Sequence, residues 1–366
     1  MNKNKVRIAV ALSGGVDSAV SALLLLRAGF AVTGIFMKTY EPEEAYADEC
    51  TWKEDQKSAE AAAKHLGIPF VTWNFEREYT ETVLKYFFRE LKKGRTPNPD
   101  VMCNQDIKFG CFLRKALKEG FSYIATGHYA QLTCTPQHVF ELRRGIDTKK
   151  DQSYFLCRVE QEIFSRVFFP IGHLTKNKVR ELARAFHLPN AERKDSQGIC
   201  FIGKINLKDF LKKRIKPKKG KILDPEGNLL GQHDGIFFYT IGQRIGPRYG
   251  IEIQRGKGQK LKRWYVARKN IKKNIIIAAP EKHPLNYKQD IIIKEPHWIT
   301  KTPKPGKVYS RIRQVGELLP SKIIYNKSKK RFEIKLKKPI TGVSEGQAIV
   351  LYKNKKCLGG GVISLA

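Results

Sequence analysis

The chain has 366 residues, 41% of them hydrophobic, and a formal net charge of +34. That length supports two or three domains with real cores, and no apolar stretch approaches the roughly 20 residues of a membrane span. Seven cysteines, odd in number, widely spread and without a CxxC pair, argue against a secreted disulfide framework and a structural zinc site.

Met1-Asn2-Lys3-Asn4-Lys5 runs straight into the first strand pattern, which leaves no room for a signal or transit peptide. The expected compartment is a reducing cytoplasm. Ile8-Ala9-Val10-Ala11-Leu12 reads as a buried strand, and residues 19–28 read as a helix stopped at Gly29. Between them stands Ser13-Gly14-Gly15-Val16-Asp17-Ser18. Paired glycines let backbone approach an anion, two serines add hydroxyl donors, and the next helix adds its positive end. This is a phosphate cradle, and it lacks the Gly-Lys-Ser/Thr of a Walker A loop. Strand patterns over 31–37, 68–74 and 123–126 alternate with helix patterns over 52–66, 80–93 and 107–119. The order predicts an α/β fold, a parallel sheet with helices on both faces. Ligands of such sheets sit beyond the carboxyl ends of the strands. The 13–18 loop, the segment after Met37 and Gly127-His128-Tyr129 fall there.

Two cysteines stand in unusual loops. In Arg95-Thr96-Pro97-Asn98-Pro99-Asp100-Val101-Met102-Cys103-Asn104 the prolines are expected to hold off helix until after Asp100. Cys103 then lies near the N-terminus of the 107–119 helix, which favours thiolate, and Asp100 suits proton transfer or an amide of a substrate. The second loop, Lys194-Asp195-Ser196-Gln197-Gly198-Ile199-Cys200-Phe201-Ile202-Gly203, carries Cys200 with Arg193 and Lys194 beside it to stabilise a thiolate. Cys111, Cys134 and Cys157 read as core, and Cys50 lies in an acidic stretch. The phosphate loop resembles that of the ATP pyrophosphatases, and this resemblance implies that ATP turns a carbonyl oxygen into an adenylate leaving group. Two reactive thiols beside such a loop then suggest one reaction class, in which a persulfide supplies sulfur and the second thiol resolves it.

The charge is uneven. Residues 1–204 carry 31 Lys+Arg against 24 Asp+Glu (+7), and residues 205–366 carry 38 against 11 (+27). The asymmetry points to a polyanion, most simply nucleic acid, with a lysine-rich compositional bias as the competing reading. Lys212-Lys213-Arg214 and Lys216-Pro217-Lys218-Lys219-Gly220 read as a basic linker. Beyond it, short alternating runs over 235–241, 264–268, 274–278, 289–293, 307–313, 331–336 and 347–352 predict small, barrel-like β-domains. Arg311 and Arg313 alternate, which suits phosphate contact on one strand face and equally an ordinary solvated face. No spacing suggests a protein metal cage, so Mg2+ is expected to enter with ATP.

The 13–18 loop resembles the pyrophosphate loop of the ATP pyrophosphatases, whose domain is adenine nucleotide alpha hydrolase-like. With residues 94–104, Ile107-Lys108-Phe109-Gly110, Ala125-Thr126-Gly127-His128-Tyr129, Lys150-Asp151-Gln152-Ser153-Tyr154, residues 195–201, Tyr239-Thr240-Ile241-Gly242-Gln243-Arg244 and residues 345–352 in order, the whole chain resembles the bacterial tRNA-specific 2-thiouridylases. It departs from them at Ala11-Leu12, where Gly-Met is usual. The expected domains are a catalytic domain over 1–204, a small β-rich domain over 205–278 and a C-terminal β-barrel over 279–366. The resemblance implies that Ala11, Leu12, Ser13, Gly14, Gly15, Val16, Asp17, Ser18, Met37 and Gly127 bind ATP. It implies that Asn98, Pro99 and Asp100 meet the target uridine, with Cys103 as nucleophile and Cys200 as persulfide carrier able to form a transient disulfide. His128, Lys150, Asp151, Gln152, Arg311, Ile312 and Gln347 would contact tRNA. The implied reaction is 2-thiolation of the wobble uridine in tRNAs for Lys, Glu and Gln, with a cysteine desulfurase or sulfur-relay protein as donor. Amine ligation to an adenylated substrate and non-catalytic RNA binding are the rival readings.

Overall fold

The structure is a computed structural model that describes residues 6–41, 52–194, 207–246, 263–314 and 316–365. Strands β1 (Arg7–Ala11), β2 (Ala31–Lys38), β3 (Phe70–Asn74), β4 (Tyr123–Ala125) and β7 (Val167–Phe168) form a parallel sheet in the order β3-β2-β1-β4-β7. Ile8, Ala9 and Val10 are fully buried because helices cover both faces of β1. Helix α1 (Val16–Arg27) ends where the Gly29 and Phe30 N–H groups bond the Leu26 and Leu25 carbonyls, so the glycine caps it as read from sequence. After β1 the chain builds outward through α2 (Trp52–His65) to β3, then returns to place β4 on the other side. That reversal opens a crevice at the carboxyl ends of β1 and β4.

Two helical segments depart from expectation. The 80–93 pattern starts earlier, with α3 (Glu76–Tyr79), a π-helical turn (Thr80–Leu84) and α4 (Lys85–Lys92). The 107–119 pattern begins at Pro99, as α5 (Pro99–Met102), a π-helical stretch (Cys103–Phe112) and α6 (Leu113–Lys118). The prolines therefore do not hold off the helix. Pro99 occupies its first position, where no N–H is needed and the fixed φ is already helical.

A second sheet holds β8 (Gly220–Leu223), β9 (Leu229–His233), β10 (Arg244–Ile245), β11 (Trp264–Asn270) and β12 (Ile275–Pro280), in which β12 runs parallel to β8 and the other described pairs are antiparallel. The expected strand over 235–241 is instead a 3-10 turn at Ile236–Phe238. Three successive apolar side chains serve two cores here: Ile236 enters the small domain, while Phe237 and Phe238 also pack on the catalytic one. A strand would point alternate side chains in opposite directions and could not do this.

Strands β13 (Tyr287–Trp298), β14 (Gly306–Arg311), β15 (Leu319–Asn326), β16 (Arg331–Thr341), β17 (Ala348–Lys353) and β18 (Lys356–Ser364) form an antiparallel barrel, closed because β13 pairs with both β16 and β18. Inward Ile291, Ile293, Ile323, Ile334, Ile349 and Ile363 fill it. Unforeseen from sequence is the hairpin of β5 (Ala130–Cys134) and β6 (Phe140–Arg144). It leaves the catalytic region and joins the barrel sheet, with Arg143 beside Lys356. Cys134 lies exposed on this hairpin rather than in a core. Helices α7 (Lys176–Ala185) and α8 (Leu207–Arg214) complete the fold. Among the described residues, no helix is long and apolar enough to cross a membrane.

Candidate active site

The 13–18 loop leaves β1 and enters α1 at the crevice. No side chain caps α1; Gly15 holds that position. Its first N–H groups are thus the ready anion donors of an uncapped helix. The serines brace the loop: Ser18 Oγ donates to the Gly15 carbonyl (2.9 Å) and accepts from Ser13 N–H (3.2 Å). The Gly14 carbonyl accepts from Ser58 Oγ (2.9 Å), Asn190 Nδ2 (2.9 Å) and Arg193 Nη1 (3.1 Å), and Arg193 also pairs with Asp55. Arg193 therefore braces the phosphate loop.

Asp17 would repel phosphate from the first turn of α1. It is held by Lys176 Nζ (2.7 and 2.9 Å) and by Tyr129 O–H (2.7 Å), which offset its charge. Gly127 packs against this turn: a Cβ there would lie 2.7 Å from Ser18 N and 2.8 Å from the Asp17 carbonyl carbon. Ala11, Leu12 and Val16 are buried beneath the loop, Ser13 is exposed, and Met37 lies half-buried at the end of β2. Ser58, Lys176 and Asn190 do not stand out in the sequence, and Tyr129 does so only as the end of Gly127-His128-Tyr129. Their contacts cross 44 to 176 residues, so no local spacing signals them.

Cys103 lies one turn inside the helix that Asn98 caps, not at its start, and is 4% exposed. Burial pushes its thiol up from 9.0 to about 11, against a smaller downward pull from Lys108. The expected helix-terminus activation is thus overturned: desolvation outweighs any dipole. Cys103 belongs to the large buried cluster of the catalytic region, which also holds Ala11 and Tyr40. Cys157 is buried as expected, and Cys111 is half-buried. Cys50 and Cys200 lie outside the described residues, as does the rest of the loop around Cys200.

Asn98 accepts from Val101 N–H (3.2 Å), and Asp100 follows it in the first turn of α5, with Pro99 buried. The segment before them is gripped from the barrel. Gln347 Nε2 donates to the carbonyls of Thr96 (3.1 Å) and Pro97 (3.0 Å), while its Oε1 accepts from Asn98 (3.3 Å).

Several positions expected at tRNA lie inside the protein. His128 is 6% exposed, with Nδ1 2.7 Å from Thr126 Oγ1 and its ring against Phe109 and Phe169. Burial, aided by Lys108, holds its pKa well below 6.5, so it is neutral rather than a cation for phosphate. Asp151 is 1% exposed and accepts from Arg311 (2.8 Å), Arg144 (3.1 Å), Ser153 and the Gly145 N–H. Arg311, 3% exposed, ends β14 and joins barrel to catalytic region through this pair; Arg313 lies past the strand, exposed. The two arginines thus do not share a strand face. Ile312 belongs to the barrel core. Gln152 accepts from the Tyr129 N–H (3.0 Å), and Lys150 alone of its motif is exposed.

The family model described as the tRNA methyl transferase HUP domain matches residues 6–204; the tRNA methyl transferase PRC-barrel domain matches 208–280 and the Aminomethyltransferase beta-barrel domain 288–363. The chain is 40% identical to the tRNA-specific 2-thiouridylase MnmA of Enterococcus faecalis over 370 aligned residues, covering 100% of this chain and 97% of that protein. The enzyme of the same name from Alkaliphilus oremlandii is 40% identical over 98% of this chain and 96% of its own length. That of Streptococcus uberis is 39% identical over 100% and 97%. An ATP-type phosphate loop, a proline loop leading to a thiol and end-to-end identity at this level coincide in one molecule, and the chain belongs to the tRNA-specific 2-thiouridylase family.

Proposed function

We propose that the protein is an ATP-dependent sulfurtransferase that converts a uridine of tRNA, at the wobble position of the Lys, Glu and Gln isoacceptors, to 2-thiouridine. The observation that carries this reading is the uncapped start of α1 behind Ser13–Ser18, set at the β1/β4 crevice in a chain so similar to thiouridylases. The uridine O2 attacks the α-phosphorus of ATP, pyrophosphate leaves into the loop, and C2 becomes electrophilic. The terminal sulfur of a Cys200 persulfide adds to C2, and AMP departs with the oxygen. Cys103 thiolate then attacks Cys200 sulfur, the S–S bond breaks, 2-thiouridine is released and a Cys103–Cys200 disulfide remains for an external thiol to reduce. Attack of Cys103 on the persulfide first, with the freed sulfide adding to C2, ends in the same disulfide. The persulfide comes from a cysteine desulfurase or sulfur-relay protein, and the reaction belongs in the cytoplasm with the tRNA pool.

Among the described residues no group of three or more His, Cys, Asp or Glu can hold a metal, and Asp17 is engaged by Lys176 and Tyr129. Mg2+ therefore fits as the partner of ATP phosphates rather than as a caged ion. The buried Cys103 thiol must be uncovered and deprotonated during turnover, and Asp100, three residues earlier on the same helix, is the acceptor this reading assigns to the proton. Methyl transfer, which the family-model description names, would leave the phosphate loop with no pyrophosphate to hold. Mass spectrometry of tRNA nucleosides after incubation with ATP, Mg2+ and a persulfide source tests the reading. 2-Thiouridine should form with the natural chain and not with Cys103→Ser or Cys200→Ser. RNA-dependent pyrophosphate release that survives both substitutions, with no 2-thiouridine even from the natural chain, would favour amine ligation, and RNA binding without RNA-dependent pyrophosphate release would leave only a binding protein.

A further inference from the structure

We propose that Gln347 is a positioning residue for this reaction, a barrel side chain that holds the loop leading to Asn98 and Cys103 in register. The inference rests on the function proposed above. The loop cannot organise itself: Pro97 and Pro99 offer no N–H, so the Thr96 and Pro97 carbonyls need donors from elsewhere. A primary amide answers this need with two donors and an acceptor at one tip. Gln347 Nε2 spends both N–H groups on those carbonyls, at 3.1 and 3.0 Å, and Oε1 takes the Asn98 Nδ2 hydrogen at 3.3 Å.

The barrel turn is shaped for this contact. The Thr96 N–H donates to the Glu345 carbonyl (2.8 Å). Gly346 adopts φ +91, and a Cβ there would sit 2.8 Å from Arg95 Cβ and 3.0 Å from the Thr96 oxygen, so glycine alone permits the approach. Gln347 itself is anchored by its N–H to Ser344 (3.3 Å) and by Ile363 N–H to its carbonyl (2.8 Å). From the far side, Tyr86 bonds the Asn98 backbone, and Tyr154 bonds both the Asn98 side chain and the Ala348 carbonyl (2.9 Å). Asn98 Oδ1 then caps the helix on which Cys103 stands one turn later. The line from barrel to thiol is therefore Gln347, Asn98, helix start, Cys103.

The test uses full-length Gln347→Met, which keeps the length and removes all three bonds, and Gln347→Glu, which keeps the acceptor for Asn98 but sets a carboxylate against two carbonyls. In the free protein, peptide-mapped N-ethylmaleimide labelling of Cys103 should accelerate roughly tenfold or more in both variants as the loop opens more often. The tRNA Kd should stay within about twofold, and kcat for tRNA-dependent pyrophosphate release should fall roughly tenfold or more while KM changes little, since misplacement costs the chemical step. A tenfold weaker Kd with unchanged Cys103 labelling would make Gln347 a tRNA contact and overturn the proposal. So would unchanged labelling and kcat in both variants. Faster labelling in a protein that, unmutated, releases no pyrophosphate with tRNA would uphold the tie to the loop and sink the proposed reaction instead.

Discussion

Asp151→Asn probes the joint between the catalytic region and the barrel. The carboxylate is buried, with Oδ1 accepting from the N–H groups of Gly145 (3.0 Å) and Ser153 (3.2 Å), and Oδ2 from Arg311 (2.8 Å), Arg144 (3.1 Å) and Ser153 Oγ (3.1 Å). Asparagine keeps the volume, but an NH2 group then either faces two guanidinium groups or displaces the acceptor for two backbone N–H groups. Arg311, 3% exposed, stays charged because a guanidinium does not give up its proton. Arg144, at 16%, can turn partly to water. Removing one partner of a buried pair costs about 3–5 kcal/mol, out of a domain stability of roughly 5–15 kcal/mol. Urea unfolding should register that loss, and native-state hydrogen exchange should speed up at the Gly145 and Ser153 amides. Adding Arg311→Met removes the stranded charge and should recover at least about 1 kcal/mol, the coupling expected of contacting groups. A loss below about 1 kcal/mol with unchanged exchange would refute the joint. A tRNA-affinity defect at full stability would return Asp151 to the RNA-contacting role expected from sequence.

Gly127→Ala should weaken ATP binding roughly tenfold or more by calorimetry, because its Cβ meets backbone at the start of α1; unaltered affinity would mean the loop yields freely. Exposed Cys134 should alkylate far faster than Cys103 near neutral pH, and equal rates by peptide mapping would contradict the burial. An unfolded Cys103 ionises near 9.0 and the folded one near about 11, so its stabilisation is present below pH 9.0 and lost as pH rises toward about 11. Urea midpoints of the natural chain should therefore fall against those of Cys103→Ala across that window; parallel curves would count against it. Lys307, Lys322 and Lys335 lie opposite one another on the exposed face of β14, β15 and β16. Like charges so placed cost stability unless a polyanion answers them. Changing all three to Gln should lower the slope of log K for tRNA against log salt by about 2–3, whereas Lys57, Lys64 and Lys118 changed to Gln should leave it nearly unaltered.

The parallel sheet, the phosphate loop and the barrel class were legible in the sequence because each is carried by local signals: apolar runs, glycine stops and alternation over a few residues. The 13–18 cradle needs only residues adjacent in sequence, so its place between β1 and α1 followed directly. The helix at Pro99 was misread because the same proline that blocks a helix interior starts one at its first position, and the Asn98 cap decided between them. Cys103 was misjudged for another reason. Its expected place at a helix start favours thiolate, but the helix begins four residues earlier and the thiol is buried in the catalytic core, which no local pattern shows. Asp151 and Arg311 likewise look like surface groups until the barrel meets the catalytic region, whereas His128 is covered by Phe109 and Phe169 and Ile312 by the barrel core itself. The chain's local patterns by themselves determined the parallel-sheet elements, the nucleotide loop and the barrel class. Only tertiary packing decided which polar residues are buried and hold the domains together, because burial and pairing depend on contacts 100 to 250 residues apart that no local pattern encodes.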